Sequence, residues 1–303
     1  MKKREFFSPF FVFVFSLLAG GSGFAQDSST SNPAGTSAVV PELCAQLQKS
    51  FDHFAWKVDA CDGIDWKVGG VSVEGRPLIY SEFGNADSKN TTLIFSLVHA
   101  DEITPLYLGM QLAQYVKKHV NTYENAHIII APVVNPDGFF RSPRTRMNAR
   151  GVDVNRNFLT SDWSAHALRA WKIKYKSDPR RFPGSSARSE PETIFQEDLI
   201  KKYHPQKILT VHSPLNFIDY DGPTPISLAK FSKDYVTECL RLRSKLRATS
   251  SGFFPGSLGN YAGQELGIPT ITLELPSADP KKARQYWLKF STGIDTMINY
   301  RIP

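Results

Sequence analysis

Two side chains that can bind a metal ion, His99 and Glu102, lie three positions apart in the chain. Residues 91–98 before them form an apolar, β-branched run that predicts a buried strand, and residues 103–120 have helical spacing of apolar residues. A strand-to-helix turn therefore brings the two side chains close enough to bind one ion together. Imidazole nitrogen and carboxylate oxygen are ligands that Zn²⁺ accepts, and a catalytic zinc needs three protein ligands and one open position. The pair alone is weak evidence, because a solvated loop or a helix start also produces it.

His212 is the candidate for the third ligand. It directly follows residues 208–211, a second predicted buried strand. A histidine at a strand end is, by itself, more typical of a structural role. Together with His99 and Glu102, however, it completes a set of two histidines and one carboxylate, which is typical of an open, catalytic zinc site. We therefore predict that these three residues hold one zinc ion per chain.

Glu274 is the candidate for the general base. It lies between two leucines in residues 270–275, a further predicted strand. A carboxylate in so apolar a strand is costly unless it is paired or faces a cavity. Beside a metal site, such a carboxylate can take the proton of a water molecule and deliver it to a leaving amine. The alternative is a structural ion pair with a nearby arginine.

Arginine and asparagine residues crowd the segment from residue 146 to residue 158, which also contains a glycine. Guanidinium groups bind carboxylates through two parallel hydrogen bonds and also stabilise oxyanions. The segment therefore suits a substrate with a free carboxylate. A basic, solvated loop is the alternative, and it is our interpretation for Arg150.

Strands and helices alternate from residue 91 onward, with another apolar strand predicted at residues 128–134. This alternation predicts an α/β fold in which a central sheet is covered by helices on both faces, and in such sheets functional groups gather where strands end. Ser189 is the predicted N-cap of the first helix after the basic segment. The other predicted elements are helices at 41–54, 190–203, 228–246 and 280–300 and a hairpin at 71–83.

The first 25 residues predict a cleaved secretory signal. Three basic residues precede an apolar core that is too short to span a bilayer, and small residues stand at the −3 and −1 positions of a cut before Gln26. Cleavage would lower the net charge from +7 to about +5, a mild and dispersed basicity that does not indicate nucleic-acid binding. We predict a periplasmic protein without a stable membrane anchor, a disordered linker at 26–40, and one domain at 41–303 with an N-terminal subregion at 41–88.

Of the three cysteines, Cys44 and Cys61 can close a short loop in an oxidising compartment. Cys239 lies in a predicted helix and is expected to be a free, buried thiol. None of the three has the spacing of a zinc site or a redox pair.

The order of these motifs resembles the zinc carboxypeptidase family over residues 70–300. The resemblance is carried by the pair at 99 and 102, Asn-Pro-Asp-Gly at 135–138, Gly-Val-Asp-Val-Asn-Arg-Asn-Phe at 151–158, His-Ser at 212–213 and Leu-Glu-Leu at 273–275. Longer segments at 189–193, 212–223, 256–259 and 267–276 are most similar to the murein peptide amidase A branch. That resemblance implies a mixed, mostly buried central sheet in a single domain.

The resemblance also implies roles for four further residues. Arg146 matches the arginine that stabilises the carbonyl oxyanion, although Arg144 is a rival because the spacing to Asn155 differs from that in animal enzymes. Asn155 and Arg156 match the pair that binds the terminal carboxylate of the substrate. Asp153 matches the acid that orients the first ligand histidine. The family's mobile tyrosine has no counterpart, and Tyr261 and Tyr220 both remain candidates for its role.

We therefore expect a zinc-dependent hydrolase that cleaves peptidoglycan stem peptides at the bond between γ-D-glutamate and meso-diaminopimelate. Two alternatives remain open at this point. One is an aspartoacylase-like deacylase, which shares part of the motif set. The other is a muropeptide-binding protein without catalytic activity.

Overall fold

A mixed sheet of eight strands lies at the centre of the computed structural model, which describes residues 36–61, 63–222, 245–246 and 254–302. The strands are β1 Lys67–Val71, β2 Pro77–Gly84, β3 Thr91–Phe95, β4 His127–Ala131, β5 Lys207–His212, β6 Phe217–Asp221, β7 Lys245–Leu246 and β8 Thr270–Glu274. Their order in the sheet is β1-β2-β4-β3-β5-β8-β6-β7. Strands β4, β3, β5 and β8 form a parallel centre, and the pairs β1–β2, β2–β4 and β6–β8 are antiparallel.

Helices cover both faces of this sheet, as predicted. Because side chains alternate along a strand, Ile94 of β3 points into one hydrophobic cluster, whereas Leu93 and Phe95 point into another. The α-helices are α1 Thr36–His53, α2 Ile103–Lys118, α3 Pro136–Phe140, α4 Trp163–Ile173, α5 Pro191–Tyr203 and α6 Ala283–Asn299. The first cluster contains residues of α1, α2 and α6, and the second contains residues of α5.

Two details of the predicted helices are wrong. Helix α1 begins at Thr36, so it includes the last five residues of the predicted disordered linker. Val40, the last of these five, packs against the hydrophobic core. The N-cap of α5 is Glu190 rather than Ser189. The hydroxyl of Ser189 instead donates to the carboxylate of Glu190 at 2.7 Å and accepts a hydrogen bond from the Asn157 side chain.

Cys44 and Cys61 form the predicted disulfide, with their Cα atoms 5.7 Å apart. The predicted signal, Cys239 and nearly all of the predicted helix at 228–246 lie outside the described residues. Among the residues that the structure does describe, no helix is long and apolar enough to cross a membrane.

Candidate active site

The three candidate ligands and the candidate base meet at one edge of the sheet. His99 lies four residues beyond the end of β3, and His212 and Glu274 are the last residues of β5 and β8. Because these three strands are parallel neighbours, their carboxyl ends lie side by side, and His212 pairs directly with Glu274 in the register. Glu274 therefore lies at the end of its strand rather than inside it.

The turn between β3 and α2 directs Glu102 toward the histidines. Glu102 occupies the N-cap position of α2, but its side chain makes no capping hydrogen bond. Its amide donates to the carbonyl of His99 at 3.1 Å, which closes the turn. Leu97, just before the turn, has a φ of 50°, a conformation that such side chains rarely adopt and that the buried surroundings must hold in place.

The metal-binding atoms of the three candidate ligands lie close together. Nδ1 of His99 lies 2.9 Å from Oε1 of Glu102, and Nδ1 of His212 lies 2.9 Å from Oε2 of the same carboxylate. The two Nδ1 atoms are 3.1 Å apart. All three side chains are buried, and one ligand atom of each lies within 4.8 Å of the others. These residues could therefore hold one metal ion together.

Asp153 determines which nitrogen of His99 carries a proton. Oδ1 of Asp153 lies 3.2 Å from Nε2 of His99. Burial alone would raise the pKa of Asp153, but Arg146 and His99 hold it well below its usual range. The ionised carboxylate can only accept a hydrogen bond, so Nε2 is the donor. In the neutral imidazole, Nδ1 is then left with the lone pair that a metal ion needs.

The second histidine is held in a form that suits a ligand. Burial lowers the pKa of the His212 side chain, which favours the neutral imidazole. Nε2 of His212 lies 3.1 Å from the hydroxyl of Thr210. The amide of Ser213 donates to Oε2 of Glu102 at 3.1 Å and so fixes the shared carboxylate. The sequence analysis gave Thr210 and Ser213 no role. The Thr210 contact joins two residues on one face of β5, and the Ser213 contact joins the end of β5 to the turn before α2.

Arg146 lies beside the ligand cluster. Its Nε donates to Oδ2 of Asp153 at 2.9 Å, and its Nη1 donates to Oε1 of Glu102 at 3.3 Å. The side chain of Asn135 donates to the carbonyl of Arg146 at 3.2 Å, so the Asn-Pro-Asp-Gly segment helps to position this arginine. Its guanidinium lines the same cavity as Glu274.

The other two arginines of this segment lie elsewhere. The guanidinium of Arg144 packs over the rings of Phe54 and Phe139, at 5.0 and 4.8 Å from their centroids, and does not line the cavity. Arg150 is largely exposed and donates to the carbonyl of Ser189 at 3.2 Å. The positions therefore favour Arg146 over Arg144 for the oxyanion role and agree with a solvated position for Arg150.

Glu274 is buried, yet its carboxylate faces the cavity. Burial, together with the charge of Glu102, raises its pKa to about 7. The amide of Leu215 donates to Oε2 at 3.4 Å. Within the described part of the chain no arginine or lysine forms an ion pair with it, which removes the support for a purely structural ion pair. A carboxylate whose pKa lies near neutrality can accept and release a proton during a reaction.

Arg156 is a buried cation at the wall of the cavity. Burial lowers its pKa, and its guanidinium packs 4.5 Å from the ring centroid of Phe254. Its Nε has no hydrogen-bond partner among the described residues. Its neighbour Asn155 accepts a hydrogen bond from the amide of Leu258 through Oδ1 at 2.8 Å, which leaves the NH₂ group of Asn155 free to donate. These donors can bind a carboxylate.

The cavity has a volume of about 500 Å³ and contains charged residues that the sequence analysis missed. Asp219 and Asp221 line it from β6, on the same face as Phe217, because residues two apart on a strand share a face. The antiparallel pairing of β6 with β8 places Phe217 opposite Glu274, Asp219 opposite Thr272 and Asp221 opposite Thr270. The other missed charges are Asp101, Arg180 and Arg181.

Comparison with known proteins identifies the family. A family model described as zinc carboxypeptidase matches residues 62–289. The chain belongs to the zinc carboxypeptidase family. It is 31% identical to the murein peptide amidase A of Vibrio campbellii over 225 residues, which cover 69% of this chain and 79% of the relative. It is 28% identical to the murein peptide amidase A of Escherichia coli K12 over 222 residues, 72% of this chain and 84% of the relative.

A solved structure shares the fold of this chain. The crystal structure of a murein-tripeptide amidase from Escherichia coli O157 superposes with a TM-score of 0.57 and 23% identity, over 78% of this chain and 93% of that one. This likeness confirms the mixed sheet with helices on both faces. The family match favours a carboxypeptidase-type reaction over the aspartoacylase-like alternative. The chain is thus a hydrolase of a metallopeptidase family, related to murein peptide amidases.

The ligand cluster fits the zinc ion of a zinc carboxypeptidase. Two imidazole nitrogens and one carboxylate are a donor set that zinc accepts in catalytic sites. The hydrogen bond from Nε2 of His99 to Asp153 leaves Nδ1 directed at the cluster, as a ligand requires. Burial would raise the pKa of Glu102, but the two histidines hold it below its usual range and so keep the carboxylate ionised.

Neither candidate tyrosine lines the cavity. Tyr261 packs against Phe158, with ring centroids 5.4 Å apart, and Tyr220 points into the core on the face of β6 opposite to Asp219. No tyrosine is present among the described residues that line the cavity. Phe254 lines the cavity instead.

Proposed function

We propose that this zinc carboxypeptidase relative is a murein peptide amidase, which hydrolyses the amide bond between γ-D-glutamate and meso-diaminopimelate in peptidoglycan stem peptides. The observation that carries the proposal is the combination, in one cavity, of a zinc-type ligand cluster, a buried carboxylate with a pKa of about 7, and a buried arginine whose Nε has no partner among the residues that the structure describes. The similarity to two murein peptide amidases over most of their length supports this substrate class.

His99, Glu102 and His212 would hold one zinc ion, with Asp153 orienting His99. When bound, zinc lowers the pKa of a water molecule and polarises a carbonyl oxygen. Glu274 accepts one proton from the attacking water as the water oxygen bonds to the scissile carbonyl carbon. When the carbon–nitrogen bond breaks, Glu274 delivers that proton to the leaving amine. The pKa of about 7 suits both the acceptance and the release of this proton.

Arg146 and Arg156 would each bind a different negatively charged group of the substrate. Arg146 lines the cavity beside Glu102, where its guanidinium can stabilise the negative charge that develops on the carbonyl oxygen. Asn155 and Arg156 would bind the free carboxylate of the released residue through their available donors. Binding this carboxylate orients the scissile bond and restricts the substrate to peptides with a free end.

The proposal includes export to the periplasm through cleavage after Ala25. Peptidoglycan lies in that compartment, and the disulfide between Cys44 and Cys61 agrees with an oxidising environment. Mature protein recovered from the producing cell should begin at Gln26. An intact mass that retains Met1 would contradict this part of the proposal.

The test of the proposed function uses purified protein and the tripeptide L-alanyl-γ-D-glutamyl-meso-diaminopimelate. Mass spectrometry should detect free diaminopimelate and the dipeptide L-alanyl-D-glutamate, and a chelator should abolish both. Release of alanine instead would show that a different bond is cut. Tight binding of the tripeptide without any product would favour the binding-protein alternative.

A further inference from the structure

Two arginines of the cavity wall have no role in the reaction described above. Arg180 and Arg181 belong to the 3₁₀ turn Pro179–Arg181, between α4 and α5. The carbonyl of Phe182, directly after the turn, accepts a hydrogen bond from the amide of Asp153 at 2.8 Å. This hydrogen bond connects the turn to the segment that contains Asp153, the residue that orients the first ligand histidine.

Arg180 is held beside the metal-ligand turn. Its Nη1 forms an ion pair with Oδ2 of Asp101 at 2.7 Å, and Asp101 directly precedes the ligand Glu102 in the chain. About half of the Arg180 side chain, 54%, remains exposed toward solvent and the cavity. Its contact with Asp101 is an ion pair, and no described residue accepts a hydrogen bond of ordinary geometry from its guanidinium. A guanidinium has five N–H donors, so Arg180 retains donors for a second anion.

Arg181 lines the same cavity. Its guanidinium packs 4.8 Å from the ring centroid of Tyr175, and its charge adds to the effect of burial in lowering the pKa of Arg156. Arg181 therefore adds positive charge near Arg156, where the terminal carboxylate would bind. Arg180 instead pairs with Asp101, which directly precedes the ligand Glu102 in the chain.

We propose that Arg180 binds a second carboxylate, carried by the acyl part of the substrate. The inference rests on the proposed function. In a γ-D-glutamyl amide the scissile carbonyl belongs to the side chain of glutamate, so the α-carboxylate of that residue stays free, and three carbon atoms separate it from the scissile carbonyl. A peptide with a neutral residue at this position has no such carboxylate. Arg180 thereby selects γ-glutamyl substrates with a free carboxylate over peptides with a neutral residue at this position.

Two tripeptides that differ only at the α-group of D-glutamate test the assignment, one with the free carboxylate and one with the carboxamide. A hydrogen bond to a charged group contributes enough to change a rate constant by about tenfold or more. Wild-type protein should therefore prefer the carboxylate peptide by about tenfold in kcat/KM. Arg180→Gln should remove most of this preference, and Arg180→Lys should retain part of it, because lysine keeps the charge without the fork geometry.

Arg169→Gln is the matched control, since Arg169 is an exposed arginine of α4 that does not line the cavity. It should leave the preference unchanged, and thermal unfolding of each variant should show that the fold is intact. Equal rates on the two peptides in wild type, or an undiminished preference in Arg180→Gln, would overturn the assignment while leaving the proposed function in place.

If wild type hydrolyses neither peptide, the proposed function fails, and equilibrium binding of the two peptides decides the role of Arg180. Tighter binding of the carboxylate peptide that is lost in Arg180→Gln supports the assignment. Equal binding of the two peptides overturns it.

Discussion

Nε2 of His99 lies 3.2 Å from Oδ1 of Asp153, and this carboxylate is fully buried. The contact fixes which nitrogen of His99 can bind a metal ion, because an ionised carboxylate can only accept a hydrogen bond, so Nε2 must carry the proton. Oδ2 of the same carboxylate accepts a hydrogen bond from Arg146 at 2.9 Å. One buried aspartate thus connects a candidate metal ligand with the arginine that we propose for the oxyanion role.

Asp153→Asn should weaken zinc binding by about tenfold to hundredfold, because residues that orient a ligand histidine typically contribute that much to metal affinity. The amide keeps the size of the side chain but removes the charge that holds the tautomer. Competition with a chromogenic chelator measures the zinc dissociation constant. Asp198→Asn, at an exposed aspartate of α5, is the control. An Asp153→Asn variant with wild-type zinc affinity would show that the carboxylate does not orient His99.

Wild-type protein should contain about one zinc ion per chain, and His99→Ala and His212→Ala should each lose it. Both residues lie at or beyond strand ends, so the far-ultraviolet circular dichroism spectrum should change little. His166→Ala, which removes an exposed histidine of α4, should keep its zinc. Elemental analysis measures the metal content, and an active wild-type protein without zinc would refute the ligand assignment.

Arg156→Ala should raise KM for a peptide with a free terminal carboxylate and reduce the preference for that peptide over its terminal amide by about tenfold or more. The reason is the loss of the buried guanidinium whose Nε has no partner among the described residues. Steady-state kinetics on both peptides measure the preference, with Arg169→Ala as the control. A variant that still prefers the carboxylate as strongly as wild type would place the carboxylate site elsewhere.

Lys207 should make stability depend on pH in the alkaline range. It is the first residue of β5, and its Nζ donates to the side chain of Asn90 and to the carbonyl of Tyr300, the latter at 2.7 Å. Burial lowers its pKa to about 7, whereas an unfolded chain keeps it near 10.5. Between these two values the unfolded state binds more protons, so the free energy of unfolding rises with pH by at most about 1.4 kcal/mol per unit.

Other groups also titrate in this range, so the comparison is with Lys207→Met. The stability of wild type relative to this variant should increase from pH 7 to pH 10, as measured by urea unfolding at each pH. Lys118→Met, at an exposed lysine at the end of α2, should show no such trend. A constant difference between wild type and Lys207→Met would mean that Lys207 stays protonated in the folded protein throughout.

The sequence was enough to predict the site residues that lie at or just beyond the ends of the central strands. The apolar runs that became β3, β5 and β8 are short and strongly patterned, and parallel strands place their carboxyl ends together. This reasoning is enough to bring His99, His212 and Glu274 into one site. The prediction did not depend on the conformation of the loops, because each of these residues lies at or shortly after the end of a strand.

Charges that reach the cavity from the turn before α5 could not be found in this way. Arg180 approaches Asp101 only because the turn at 179–181 is fastened to the segment that contains Asp153, and that contact joins residues far apart in the chain. For the same reason Phe254, which packs on Arg156, was not recognised as a cavity residue. Local patterns predict elements, whereas contacts between loops depend on the completed fold.

Glu274→Gln tests the central claim most directly, because it removes the proton acceptor while keeping the size of the side chain. General-base assistance contributes about 10²–10⁴-fold to a rate, so turnover of the murein tripeptide should fall at least that far. Zinc content should remain at the wild-type value, because Glu274 is not one of the three ligands, and affinity for the tripeptide should change much less than the rate. Hydrolysis by Glu274→Gln at the wild-type rate would contradict the mechanism.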